Sequence, residues 1–156
     1  MKEVALDLQA IIDRYSVEFG KMAEETLAHK PGSEKWSKKE VIGHLIDSAQ
    51  NNLRRFIVCQ YEPTPPKIVY EQDFWVNAND YQNRSAKEVI TLWRLVNLQI
   101  VHVLSGMAVN NYQKPCDTGR EEEKLHTLEW LASDYVKHLK HHINQIIPRS
   151  FDIVYP

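Results

Sequence analysis

Histidine is the residue type in this sequence whose spacing most clearly suggests chemistry. Seven are present, at positions 29, 44, 102, 126, 138, 141 and 142. Three of them crowd the segment from Tyr135 to Ile146, which reads YVKHLKHHINQI. His138 and His142 are four residues apart, so on a helix they stand one above the other on one face. Two imidazoles so placed can bind one ion, although histidine pairs at this spacing also occur on ordinary exposed faces. His141 is out of phase with them and projects roughly 100° away. A helix-borne pair needs a third ligand from elsewhere, because catalytic zinc-type sites use three protein ligands and keep one position open. His44 is the candidate, on the inward side of an apolar segment beside Val41 and Ser48. Together His44, His138 and His142 would hold a divalent metal ion, with zinc or nickel suited to imidazole nitrogen. Asp47 lies one turn after His44 and Asp134 one turn before His138. Either could fix an imidazole tautomer or complete the coordination, and either also suits a solvated helix face. His102 and His126 have no partner at ligand spacing, and His29 reads as a cation at a helix C-terminus.

Such a site needs rigid elements, and glycine and proline mark where these begin and end. Four long segments between them show helical spacing. The first runs from about Lys2 to Ala28, with Val4, Leu8, Ile11, Ile12, Tyr15, Phe19, Met22 and Leu27 on one stripe. The second runs from about Ser37 to Cys59 and opens on a capping box, Ser37 with Glu40. It carries two adjacent apolar rows, the mark of a helix with more than one neighbour. The third runs from about Ser85 to Leu104, with Ser85 and Glu88 as a second capping box. The fourth runs from about Thr127 to Ile147, with Thr127 as N-cap and Pro148 as terminator. No segment reads as a convincing strand. The expected fold is an all-α four-helix bundle in one domain, residues 1–156, with two long connections at 60–84 and 105–126. The first connection carries Tyr61, Tyr70, Phe74, Trp75 and Tyr81, an aromatic load that should fold over one end of the bundle.

Composition narrows the function classes. The chain has 156 residues, 43% hydrophobic and 26% charged, enough for one core without staples. Its formal net charge is −2 with no block of one sign, which argues against a nucleic-acid partner. No uninterrupted apolar run approaches the ~18 residues of a membrane span. The amphipathic start, MKEVALDLQAIID, is unlike a signal or transit peptide. Cys59 and Cys116 are too few for a disulfide scaffold or a thiolate zinc site. They read as bystanders in a reduced, cytoplasmic protein. Arg54 and Arg55 suit either an anionic substrate group or solvent.

Two segments carry a resemblance. Trp36 to Ser48, WSKKEVIGHLIDS, resembles the first-histidine motif of the DinB/YfiT-like family, roughly W-S-x-x-E-x-x-x-H-L-x-D. His138-x-x-x-His142-x-x-Gln145-Ile146 is similar to that family's closing motif. The two histidine groups stand 94 positions apart in the expected order. The resemblance implies a bundle of up-down-down-up type, with a divalent metal held by His44, His138 and His142. Asn144 stands where that family's closing motif usually has glycine, a departure expected to bear on helix packing rather than on ligation. Relatives of this kind include S-transferases and isomerases that use a low-molecular-weight thiol, and metal-dependent hydrolases. The implied function is a metal-dependent enzyme in which the ion activates a thiol or a water against a small electrophilic substrate. A homodimer is the expected assembly. The alternative is a non-catalytic, stress-related binding module, also dimeric, with a structural metal or none. A fourth protein ligand such as Asp47 or Asp134 would favour the structural site, and an open position the enzyme.

Overall fold

In this computed structural model, which describes residues 1–155, six helices follow in order. They are α1 (Lys2–Gly20), α2 (Glu24–Ala28), α3 (Lys38–Tyr61), α4 (Gln72–Asn79), α5 (Ala86–Gly106) and α6 (Leu128–Ile146). Two short strands, β1 (Pro115–Asp117) and β2 (Leu125–Thr127), pair antiparallel between α5 and α6. The helix starts follow the caps in the sequence. Ser37 Oγ accepts from the Glu40 N–H at 3.2 Å, and the Glu40 carboxylate accepts from the Ser37 N–H at 2.8 Å. Thr127 Oγ1 accepts from the Trp130 N–H at the head of α6. At α5 only half of the expected box forms. Ser85 Oγ accepts from the Glu88 N–H, but the Glu88 carboxylate turns outward to Arg84.

The four long helices form the bundle. α3 packs against α5 and α6, and α1 packs against the same two. α1 and α3 therefore share one diagonal, and α5 and α6 the other. Leu8, Ile12 and Phe19 of α1, Ile42, Leu45 and Phe56 of α3, Trp93 and Ile100 of α5, and Leu139 and Ile143 of α6 meet in a single buried core. Side chains of this size contribute roughly 1.5–3 kcal/mol each when fully removed from water. α5 has the length and mean hydropathy of a membrane span, although its sequence holds no unbroken apolar run. Here its apolar stripe of Val89, Trp93, Val96, Ile100 and Leu104 is covered by the bundle.

Three expectations from the sequence need correction. The first predicted helix is two helices, broken at Lys21–Ala23, where Ala23 is extended. The break lets α2 turn across the bundle. Glu24 then reaches Lys39 Nζ at 2.5 Å and the Ala86 N–H at 2.8 Å, tying the starts of α3 and α5 together. The 60–84 connection contains α4 and a turn of 3₁₀ helix, Tyr81–Asn83. Its aromatics divide, since Tyr81 is buried whereas Phe74 and Tyr61 are exposed. The 105–126 connection holds the β1–β2 hairpin, whose three-residue strands are too short to show an alternating pattern.

Gly43 precedes the candidate ligand His44 and shows why this part of α3 cannot carry a side chain. A Cβ added there would lie 2.1 Å from the Tyr81 ring. Tyr81 cannot withdraw, because it is buried and its hydroxyl donates to Asp47 Oδ1 at 2.7 Å. Gly43→Ala is therefore expected to destabilise the protein despite alanine's better helix propensity. Overpacking of this kind costs about 1–3 kcal/mol, readable by urea denaturation.

Candidate metal centre

α3 and α6 are neighbours, and their contact brings His44, His138 and His142 together. One ring nitrogen from each lies within 4.8 Å of the others. His44 Nε2 and His138 Nε2 are 3.3 Å apart. His142 Nδ1 faces Gln145 Oε1 at 3.0 Å, so it carries the proton and leaves Nε2 with a free lone pair. The rings meet edge to face, His44 lying 4.7 Å from His142 and 5.3 Å from His138 between centroids. Trp36 stacks beside His44 at 5.1 Å.

Burial keeps the three rings neutral. It pushes the His44 imidazolium down to about pKa 3, with the neighbouring His142 adding to the shift. His138 lies well below the ordinary value for the same reason, with His142, His44 and His141 adding to it. His142 is lowered less, because its bond to Gln145 opposes the burial. Neutral imidazole is the form that ligates metal. The donor set also has the right spacing. Nitrogens bound tetrahedrally at ~2.05 Å sit about 3.3 Å apart, the separation seen between His44 and His138. The Nδ1 atoms of both rings are buried without a hydrogen-bond partner among the described residues. Their Nε2 atoms are the ones that face each other. No carboxylate oxygen joins the cluster among the described residues.

A cavity of about 1000 Å³ opens beside this cluster. It lies between the segment that links α2 to α3, α4 and the end of α6, and two of its lining residues, Trp36 and Gln145, touch His44 and His142, which do not themselves line it. Its mouth mixes Lys30, Lys35 and Lys38 with Glu34, Glu40 and Asp73.

A family model described as the DinB superfamily matches residues 7–146. The chain belongs to the DinB superfamily. Among solved structures it is similar to YfiT from Bacillus subtilis, described as "a probable metal-dependent hydrolase with an unusual four-helix bundle topology". The two share 24% identity and a TM-score of 0.73, over 93% of this chain and 78% of that one. That likeness carries the fold. No curated protein matches the chain.

In this DinB-superfamily protein the two aspartates do not act on the imidazoles as the sequence suggests. Asp47 is buried, but its Oδ1 accepts from Tyr81 Oη at 2.7 Å and from Asn79 Nδ2 at 3.0 Å. Its Oδ2 has no partner among the described residues. Burial raises its pKa to about 6, against the pull of the Tyr81 bond. Asp134 accepts from Tyr155 Oη at 3.3 Å instead of from His138. Neither position is legible from spacing, because α4, the 3₁₀ turn after it and the chain after α6 supply the partners. Gln145 was legible: three residues after His142, it shares that residue's face of α6. Its amide also joins His141 Nε2 at 3.1 Å. His126 stacks on Trp130, and His29 caps α2 and lines the cavity. Arg55 is held inside by the Ile68 carbonyl, whereas Arg54 is exposed. Cys59 and Cys116 are both buried and lie side by side.

The neutral rings set a pH dependence. An unfolded histidine takes up a proton near pH 6.5, whereas folded His44 resists protonation to about pH 3. Between these values the unfolded state binds more protons, so stability falls as pH falls. For metal-free protein, urea midpoints are expected to drop from pH 7 towards pH 4. A His44→Asn variant should show a shallower drop, because its amide does not titrate.

Proposed function

We propose that this protein is a metal-dependent enzyme in which His44, His138 and His142 hold one divalent ion, zinc or nickel, at the edge of the 1000 Å³ cavity. One observation carries the reading: three neutral imidazoles converge, and among the described residues no carboxylate closes the set. Such a site leaves positions for water or substrate, whereas a structural site is closed by a fourth protein ligand. When bound, the ion lowers the pKa of a coordinated water or thiol and polarises an electrophile.

The chain's own residues supply the rest. Gln145 fixes the His142 tautomer through Nδ1, which leaves Nε2 available. Trp36 walls the ring of His44. Asp47 offers one unpartnered carboxylate oxygen with a pKa of about 6, close to the range in which a group both accepts and returns protons near neutrality. Tyr81 and Asn79 hold its other oxygen in place. The substrate is a small electrophile, and the reaction is hydrolysis or transfer to a low-molecular-weight thiol. The description of YfiT as a probable metal-dependent hydrolase supports the first of these.

We assign a homodimer to the same reading. A groove between α3 and α5 is lined by Leu53, Ile57, Leu92, Leu95 and Val96, with Leu95 54% exposed, and a second copy would cover it. Sedimentation equilibrium tests this part separately.

The first measurement is metal stoichiometry on protein purified without an affinity tag. Elemental analysis should find about one ion per chain, as a three-histidine site requires. His138→Ala and His142→Ala should each lose it while remaining folded. After chelation, Zn²⁺ and Ni²⁺ should rebind to wild type alone. The absence of a stoichiometric ion, with no rebinding below millimolar concentration, would sink the enzyme reading. The triad would then be a polar seam, and the binding-module reading would take its place.

A further inference from the structure

After α6 the chain reverses sharply. Ile147 leaves helical geometry, and Arg149 adopts a left-handed backbone with φ 64°. A non-glycine residue holds such a conformation only where its surroundings enforce it. Here they do. Ser150 Oγ donates to the Ile147 carbonyl at 2.7 Å. The Asn144 side chain donates to the Phe151 carbonyl and accepts from the Phe151 N–H, both at 2.9 Å. The Phe151 ring then rests on Tyr15 at 5.3 Å, with Lys140 Nζ 5.5 Å above it. Beyond this clamp the chain runs back along α6. Tyr155 reaches the ligand rows, its ring 5.7 Å from His138 and 5.5 Å from His141, and its hydroxyl donates to Asp134 Oδ2 at 3.3 Å.

We propose that residues 148–155 are a strap that closes one side of the three-histidine centre, and that Tyr155 is a positioning residue that holds the His138 ring and bars ligand entry from that side. The cavity at Trp36 and Gln145 is then the approach to the histidines. This inference rests on the triad being the binding site. Asn144 makes the strap possible: a glycine at that position, usual in the closing motif, has no side chain with which to grip Phe151. The strap also lies beyond residues 7–146, the part of the chain that the superfamily model matches.

The test uses the full chain with Tyr155→Ala, Asn144→Gly and Tyr155→Phe. In metal-free protein, carbethoxylation of His138 is followed by peptide mass spectrometry, with exposed His102 as the internal reference. The rate is expected to rise several-fold in Tyr155→Ala and Asn144→Gly. Tyr155→Phe keeps the ring and should stay near wild type, a rescue that a tail merely adding stability would not show. In zinc-loaded protein, chelator-driven release should quicken about tenfold in the first two variants, the scale seen when groups supporting a metal ligand are lost. Unchanged histidine reactivity in folded variants, judged by circular dichroism, would overturn the strap. Failure of wild type to bind zinc would overturn the metal reading instead, and the carbethoxylation rates would still decide the strap.

Discussion

Three imidazoles share one water-poor seam between α3 and α6, and much of the surrounding structure follows from keeping them neutral and aimed at one another. A charged ring there would meet two others and, among the described residues, no carboxylate. Burial therefore drives all three to the unprotonated form, and that form has a lone pair to offer. The Nδ1 atoms of His44 and His138 are buried without a partner among the described residues, and an unsatisfied buried polar atom costs on the order of 1–3 kcal/mol. The Nε2 atoms of the same two rings are the ones that approach each other, at 3.3 Å.

The same seam explains why α3 is polar on the inside. Lys39, Glu40, His44, Asp47, Ser48, Asn51 and Asn52 are all buried on this one helix. Each charge finds a fixed partner. Lys39 meets Glu24, Glu40 meets Lys30, and Asp47 meets Tyr81 and Asn79. Asn51 and Asn52 bond back to the carbonyls of Asp47 and Ser48 one turn earlier. Gly43 admits the Tyr81 ring against the helix backbone, so the anchor of Asp47 and the packing beside His44 are one contact. A polar helix face of this kind is stable only when nearly complete. Among the described residues, Asp47 Oδ2 and His44 Nδ1 are its unfilled positions.

Much of this was legible in the sequence because it is local. Helical spacing located the four long helices, and Ser37, Thr127 and Pro148 marked their ends through hydrogen bonds made within a few residues. The four-residue step between His138 and His142 already placed both rings on one face of α6. Other features depended on partners distant in sequence. The break falls at Gly20, but where the chain goes after it is fixed by Glu24 reaching Lys39 and Ala86. Asp134 sits one turn from His138, yet Tyr155 takes its carboxylate. Asn144 was expected to affect helix packing, and it instead grips the backbone at Phe151.

By itself, then, the sequence determined the bundle class, the helix starts and the residue types able to ligate a metal. Periodicity and capping are short-range effects, and they are written in neighbouring residues. Only the tertiary structure decided that His44 Nε2 lies 3.3 Å from His138 Nε2 across 94 positions, that no carboxylate joins them among the described residues, and that Tyr155 returns beside His138. Those facts depend on how α3 and α6 pack and on how the chain turns at Arg149. Packing distances and chain reversals arise from the sum of many contacts, and no single stretch of sequence carries that sum.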